Sequence, residues 1–198
     1  MALEAYDESA AAPGTFTVDD GTKENARIVG VFLIKLGFDV TTLTDDPATW
    51  TTPVSAGDVI IINPVTGSWP EGSENTIPGI GRTQTEYSST SFDIPFRHKL
   101  VGPNLAFYNN LNGQKNYGAG FVFADNKALI PLRGTVGDSE AEPTPIPDSF
   151  SVLPMDFFAR INADGEDLEG DRMIMCNARY RSRFLPYEVA VPESIFPL

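Results

Sequence analysis

Residues 22–39 read TKENARIVGVFLIKLGFD, and how this stretch folds decides what the rest of the chain packs against. Ala26, Val29, Leu33 and Leu36 follow steps of three and four. Ile28, Val31, Phe32 and Ile34 widen that stripe until little of the surface is polar. The spacing predicts a principal helix over residues 22–37, buried or covered on both flanks. Thr22 or Asp20 supplies a cap, and Gly37 stands where a left-handed C-terminal residue belongs. In this reading Val29, Phe32, Leu33 and Leu36 pack on a strand at residues 59–62.

Working outward, residues 38–43 (FDVTTL) alternate and are rich in β-branched side chains, so they read as a strand. Pro53 and Gly57 bracket a loop, and residues 58–63 (DVIIIN) form an apolar run suited to a buried strand. Residues 66–91 carry Gly, Pro, Ser, Thr and Asn without a usable period and read as a long loop. Short strands are expected at 92–96 (FDIPF), 104–108 (NLAFY), 120–124 (GFVFA) and 128–132 (ALIPL), with Asp125-Asn126 marking a hairpin. Residues 135–150 are acidic and proline-rich, an extended connector. Further strands are expected at 151–153, 157–161, 173–184 and 187–191. The expected fold is α+β: short, mostly antiparallel strands around one principal helix. An acidic amino-terminal arm covers residues 1–20, and a single β-rich domain follows over 21–198.

Composition narrows the function. The chain has 198 residues, long enough for one sizeable core, and a net charge of −13. That charge disfavours a nucleic-acid backbone as partner and favours cations or a basic protein surface. A single cysteine, Cys176, excludes an internal disulfide framework. No basic-then-apolar leader and no run of eighteen apolar residues argue for a secretory signal or a membrane span.

Catalytic and metal constellations are missing from the pattern. His98 is the only histidine, so any Ser-His-Asp or Cys-His site would have to run through it, and no GxSxG elbow accompanies it. One histidine and one cysteine cannot supply the ligands of a zinc site. The pairs Gly79/Gly81 and Gly118/Gly120 lack the lysine and hydroxyl of a phosphate loop and read as turns. Residues 162–171 (NADGEDLEGD) have oxygen ligands of the kind Ca²⁺ takes. Asp167 and Met173, however, stand where an EF-hand needs glycine and glutamate. No enzyme, cofactor or metal is therefore expected, and a small-molecule ligand is disfavoured.

Charge patterning points instead to protein contacts. Glu4, Asp7 and Glu8 lie in an amino-terminal stretch without basic residues, whereas Arg179, Arg181 and Arg183 alternate along a strand-like run. Three guanidinium groups on one strand face suit carboxylates, from this chain or a neighbour. Phe196 and Leu198, in the terminal IFPL, add apolar area. The expected partner-binding residues are thus Glu4, Asp7, Glu8, Arg179, Arg181, Arg183, Phe196 and Leu198.

In composition and layout, including residues 107–132 (FYNNLNGQKNYGAGFVFADNKALIPL), the chain resembles small virion proteins of tailed bacteriophages, such as capsid decoration, cement or head–tail components. The resemblance implies a non-enzymatic structural protein of the virion, made in the host cytoplasm, that associates with itself or with other virion proteins. A second resemblance is confined to the helix–strand–loop–strand rhythm of residues 22–64. It is similar to part of a flavodoxin-like or amidotransferase-like sheet and implies a small α/β ligand-binding or hydrolase domain.

Overall fold

The computed structural model describes residues 27–78, 85–99, 102–133, 151–162, 173–182 and 185–196. Where a principal helix was expected, the chain forms strand β1, Arg27–Lys35. The correction has a plain cause. Steps of three and four are met automatically in RIVGVFLIK because nearly every position is apolar. The same run fits a strand buried on both faces, and its β-branched Ile28, Val29, Val31 and Ile34 favour the extended backbone. The fold is accordingly dominated by one large antiparallel sheet rather than by an α+β arrangement around a helix.

After β1, a 3₁₀ turn at Val40–Thr42 replaces the strand expected at 38–43. Asp39 accepts from the Thr41 backbone N–H at 3.0 Å and from its hydroxyl at 2.7 Å, a local pairing that competes with a ladder. The expected loop around Pro53 is helix α1, Ala48–Ala56, started by Asp46 accepting from Ala48 N–H at 2.9 Å and ended by left-handed Gly57. Then come β2 (Val59–Ile62), β3 (Thr66–Ser68), β4 (Ser73–Pro78) and β5 (Thr85–Lys99). The long loop expected at 66–91 is thus largely strand. Its ladder is held by backbone pairing and by Asn75, whose amide donates to Ser89 C=O at 3.1 Å and Ser91 Oγ at 2.8 Å. Such a ladder leaves no hydrophobic alternation to find.

Helix α2, Gly102–Leu111, replaces the strand expected at 104–108. It buries Tyr108 and Leu111, three residues apart on one face. The remaining strands are β6 (Tyr117–Phe123), β7 (Lys127–Ile130), β8 (Leu132–Arg133), β9 (Ser151–Val152), β10 (Asp156–Asn162), β11 (Met173–Ser182) and β12 (Tyr187–Ala190). Asn126, at φ 61, turns β6 into β7 where the Asp125-Asn126 pair marked a hairpin. Gly118 and Gly120 lie inside β6 rather than in a turn. The connector 135–150 and nearly all of the acidic cluster 162–171 lie outside the described residues, as do residues 1–20 and Gly79/Gly81.

The strand order is β10-β11-β5-β3-β1-β6-β7-β12, with β2 also on β1 and β4 also on β5; β8 and β9 pair separately. Because β1 and β2 run antiparallel, the flavodoxin-like resemblance is lost along with the helix. β1 has a core on each face. Ile28, Val31 and Leu33 join residues of β5, β6, β10, β11 and α2. A register shift against β6 between Ile28 and Gly30 lets Ile28 and Val31 share that core despite their odd spacing. Phe32 and Ile34 point the other way, toward Trp50 of α1, Ile130 of β7, Val189 of β12 and Phe196. The sheet curls around the first core until Met155 N–H reaches Tyr117 C=O at 3.0 Å.

In the second core the rings of Phe32, Trp50 and Phe196 lie with centroids 5.0 to 5.8 Å apart, two of the three pairs edge to face. They fit because β-carbons are absent beside them. A methyl on Gly120 would overlap the Phe32 ring, and one on Gly30 would overlap Phe196. Leu33 is buried as expected, but Leu36 is 38% exposed just past the strand, so the four-residue helical face does not exist. Phe32→Ala should cost ~3–5 kcal/mol, and Gly120→Ala ~1–3 kcal/mol by overpacking the same site. Chemical denaturation of both variants measures this; unchanged midpoints would refute the placement of Phe32.

Candidate interaction surface

Strands β5, β11 and β10 turn one face to the first core, and no described element packs on the other. Their register lines up the outer side chains in rows: Lys99 with Met173; Arg97, Met175 and Arg160; Pro95, Asn177 and Phe158; Asp93, Arg179 and Asp156; then Ser91 with Arg181. Ile94, Phe96, Ile174, Cys176, Ala178 and Phe157 alternate with them and are buried. The outer face is therefore a product of strict two-residue alternation.

It carries five basic and two acidic side chains, on a chain whose net charge is −13. Both acids are engaged. Asp93 accepts from Arg179 Nε at 2.7 Å and from Asn177 Nδ2 at 2.6 Å, while Asp156 pairs with Lys115 at 3.3 Å. Arg181 donates through Nε to Ser89 Oγ, which aims the guanidinium and leaves its terminal nitrogens available. Among the described residues no carboxylate lies within ion-pair distance of Arg97, Arg160 or Arg181. Phe158 stands 56% exposed on β10, one row from Arg160 and Met175, with Met173 half-buried one row further along β11. At the Arg181 end a cleft of about 600 Å³ opens between Phe92, Tyr180, Leu153 and Pro154 and the charged groups of Glu71 and Arg179.

The residues expected to bind a partner thus separate. Arg179 and Arg181 share the outer face, but Arg179 is committed to Asp93 within the chain. Phe196 is 1% exposed against Phe32 and Trp50, so its area is spent inside the fold and is corrected from the partner-binding set. Glu4, Asp7, Glu8, Arg183 and Leu198 lie outside the described residues. Arg97, Arg160 and Phe158 were missed. They are scattered along the chain, and only the pairing of β5, β11 and β10 brings them together.

Elsewhere, burial shifts a few titratable groups. Burial pushes the Cys176 thiol up to about 12 and raises the phenols of Tyr108 and Tyr180 well above their ordinary range. His98 Nε2 lies 2.6 Å from Tyr108 Oη, tying β5 to α2 beside a cavity of about 250 Å³ lined also by Ile60, Ile62, Asn63, Asn104 and Phe107. Burial lowers the His98 pKa below 6.5, partly offset by a backbone hydrogen bond at Lys99. Among the described residues no group of three or more His, Cys, Asp or Glu side chains is placed to hold a metal ion. No helix among them is long and apolar enough to cross a membrane.

The depressed His98 pKa has a stability consequence. Below pH 6.5 the unfolded chain binds a proton that the folded chain resists, so this contribution is complete above 6.5 and is lost as pH falls through it. The melting temperature should drop between about pH 7.5 and pH 5.5, and drop less in His98→Gln. Equal pH dependence in both proteins would refute a His98 ring whose pKa is lowered by its partial burial.

Comparison with family models, with curated proteins and with solved structures finds no match to this chain.

Proposed function

We propose that this protein is a non-enzymatic assembly component, of the kind the small virion proteins of tailed bacteriophages represent, and that its working surface is the outer face of β5, β11 and β10. One observation carries the reading. An acidic chain gathers Arg97, Arg160 and Arg181, without carboxylate partners among the described residues, around exposed Phe158. Like charge keeps copies of such a chain apart in most orientations, and a basic patch favours the one orientation in which it meets an acidic surface. Phe158, Met173 and Met175 supply apolar burial that exposed ion pairs alone, at ~0–1 kcal/mol each, do not.

Self-association through this face should strengthen with concentration and weaken with salt. Arg97→Glu combined with Arg160→Glu should weaken it about tenfold or more while leaving the melting temperature nearly unchanged, since both side chains are exposed. Light scattering across a concentration series measures both effects. A chain that stays monomeric at every concentration and salt overturns the reading, as does association indifferent to the double reversal.

A further inference from the structure

We infer that the acidic surface this face meets is the pole formed by residues 36–57 of a second copy, the turn and helix that cover the far side of β1; the inference rests on the assembly reading above. The sequence makes that pole uniformly negative. Residues 36–57 contain Asp39, Asp45 and Asp46 and no lysine, arginine or histidine. All three acids are exposed, and among the described residues no basic side chain lies within ion-pair distance of them. Asp39 and Asp46 accept from the backbone N–H groups of Thr41 and Ala48 at 3.0 and 2.9 Å, which holds the carboxylates in place without cancelling their charge. Leu36 and Val54, 38% and 37% exposed, add apolar area within the same segment.

The basic face is the complement, with Arg97, Arg160 and Arg181 as cations and Phe158 as exposed apolar ground. Other described acids are already spent, since Asp58, Asp93, Asp156 and Glu188 each pair with a cation of their own chain. Topology then sets the direction of the contact. β11 stands three strands from β1 by either route around the first core. One route is β11-β5-β3-β1; the other passes through β10, crosses the Met155–Tyr117 contact to β6, and reaches β1. The outer face of β11 therefore looks away from β1, while α1 packs Trp50 on the opposite side of β1, with its ring 5.0 Å from that of Phe32. Basic face and acidic pole thus lie on opposite sides of the molecule. A contact between them joins the face of one copy to the pole of the next and leaves one of each surface free. Association then continues past two copies, into a ring or an open chain.

Two variants of the full-length chain test this. One reverses the face (Arg97→Glu, Arg160→Glu). The other neutralises the pole (Asp39→Asn, Asp45→Asn, Asp46→Asn), and asparagine keeps the side-chain oxygen that accepts from Thr41 and Ala48. Light scattering over a concentration series should show the unaltered chain growing past two copies, and each variant alone associating about tenfold or more weakly. An equimolar mixture should form a complex of two chains and stop there, because the intact pole of one variant meets the intact face of the other. Asp45→Lys, at a side chain that makes neither cap, should weaken association in the same direction and separates lost charge from a disturbed helix start. If the face variant is weakened but the pole variants are not, the occupant is wrong while the assembly reading stands. If the unaltered chain stays monomeric, or the face variant associates as well as it does, both fall. An unaltered chain that stops at two copies, or a mixture that does not pair, overturns the face-to-pole contact alone.

Discussion

Strand β1 is apolar on both sides, and a strand of that kind has to be covered twice. Burying one large aliphatic or aromatic side chain is worth ~1.5–3 kcal/mol, and β1 places Ile28, Val31, Phe32, Leu33 and Ile34 at zero exposure. The rest of the fold follows from supplying those two covers. One is made by the sheet itself, which curls until β10 and β11 close over Val31 and Leu33 with α2 at the side. The other is assembled from α1, β7, β12 and the Phe196 turn, and it depends on Gly30 and Gly120 leaving space for rings. Deleting either cover would leave half of the central strand in water.

The outer face of β5, β11 and β10 is what that arrangement leaves over. Those strands spend their alternate apolar residues on the first core, and no described element packs on their other side. Electrostatics then makes the leftover face specific. Asp93 is saturated by Arg179 and Asn177, so it orients the surface without cancelling it. Arg97 and Arg160 sit one row of side chains beyond Phe158, where the described acids do not reach them. Positive potential concentrated on one side of a negative molecule acts chiefly on the orientation and rate of encounter.

Much of the strand pattern was legible, because local signals carried it. The stretches 58–63, 92–96, 157–161, 173–184 and 187–191 read as strands, and residues 59–62, 92–96, 157–161, 173–182 and 187–190 within them lie in β2, β5, β10, β11 and β12. The decisive stretch was not legible, since an apolar run of nine residues satisfies helix and strand spacing equally; β-branching at Ile28, Val29, Val31 and Ile34 was the signal to weigh. Helix α1 hid behind Pro53, which reads as a breaker but sits within the helix. β4 hid because Ser, Thr and Asn hold it by hydrogen bonds rather than burial. For the surface, alternation exposed Arg179 and Arg181, but Arg160 joins them only through the pairing of β10 with β11, and Arg97 only through the pairing of β5 with β11, strands far apart in the chain. Phe196 was misjudged because a terminal apolar residue looks available until Gly30 and Trp50 are seen to receive it.

The edges of the sheet bear on why copies would meet through a face at all. An exposed edge strand is the usual template for joining chains, and here both ends of the strand order are blunted. On β10, the Asn112 side chain accepts from Ala159 N–H at 2.6 Å and donates to Ala159 C=O at 3.2 Å, taking the place of a neighbouring strand. Gly113 N–H faces Phe157 C=O at 3.4 Å, so the end of α2 covers the next outward group as well. On the opposite end β12 is four residues long, and its Glu188 is paired with Lys127 at 3.2 Å. A strand adding to β10 would first have to displace α2, and with it the His98–Tyr108 contact that anchors the helix to β5. Among the described residues, a partner meeting the outer face of β5, β11 and β10 displaces no packed element.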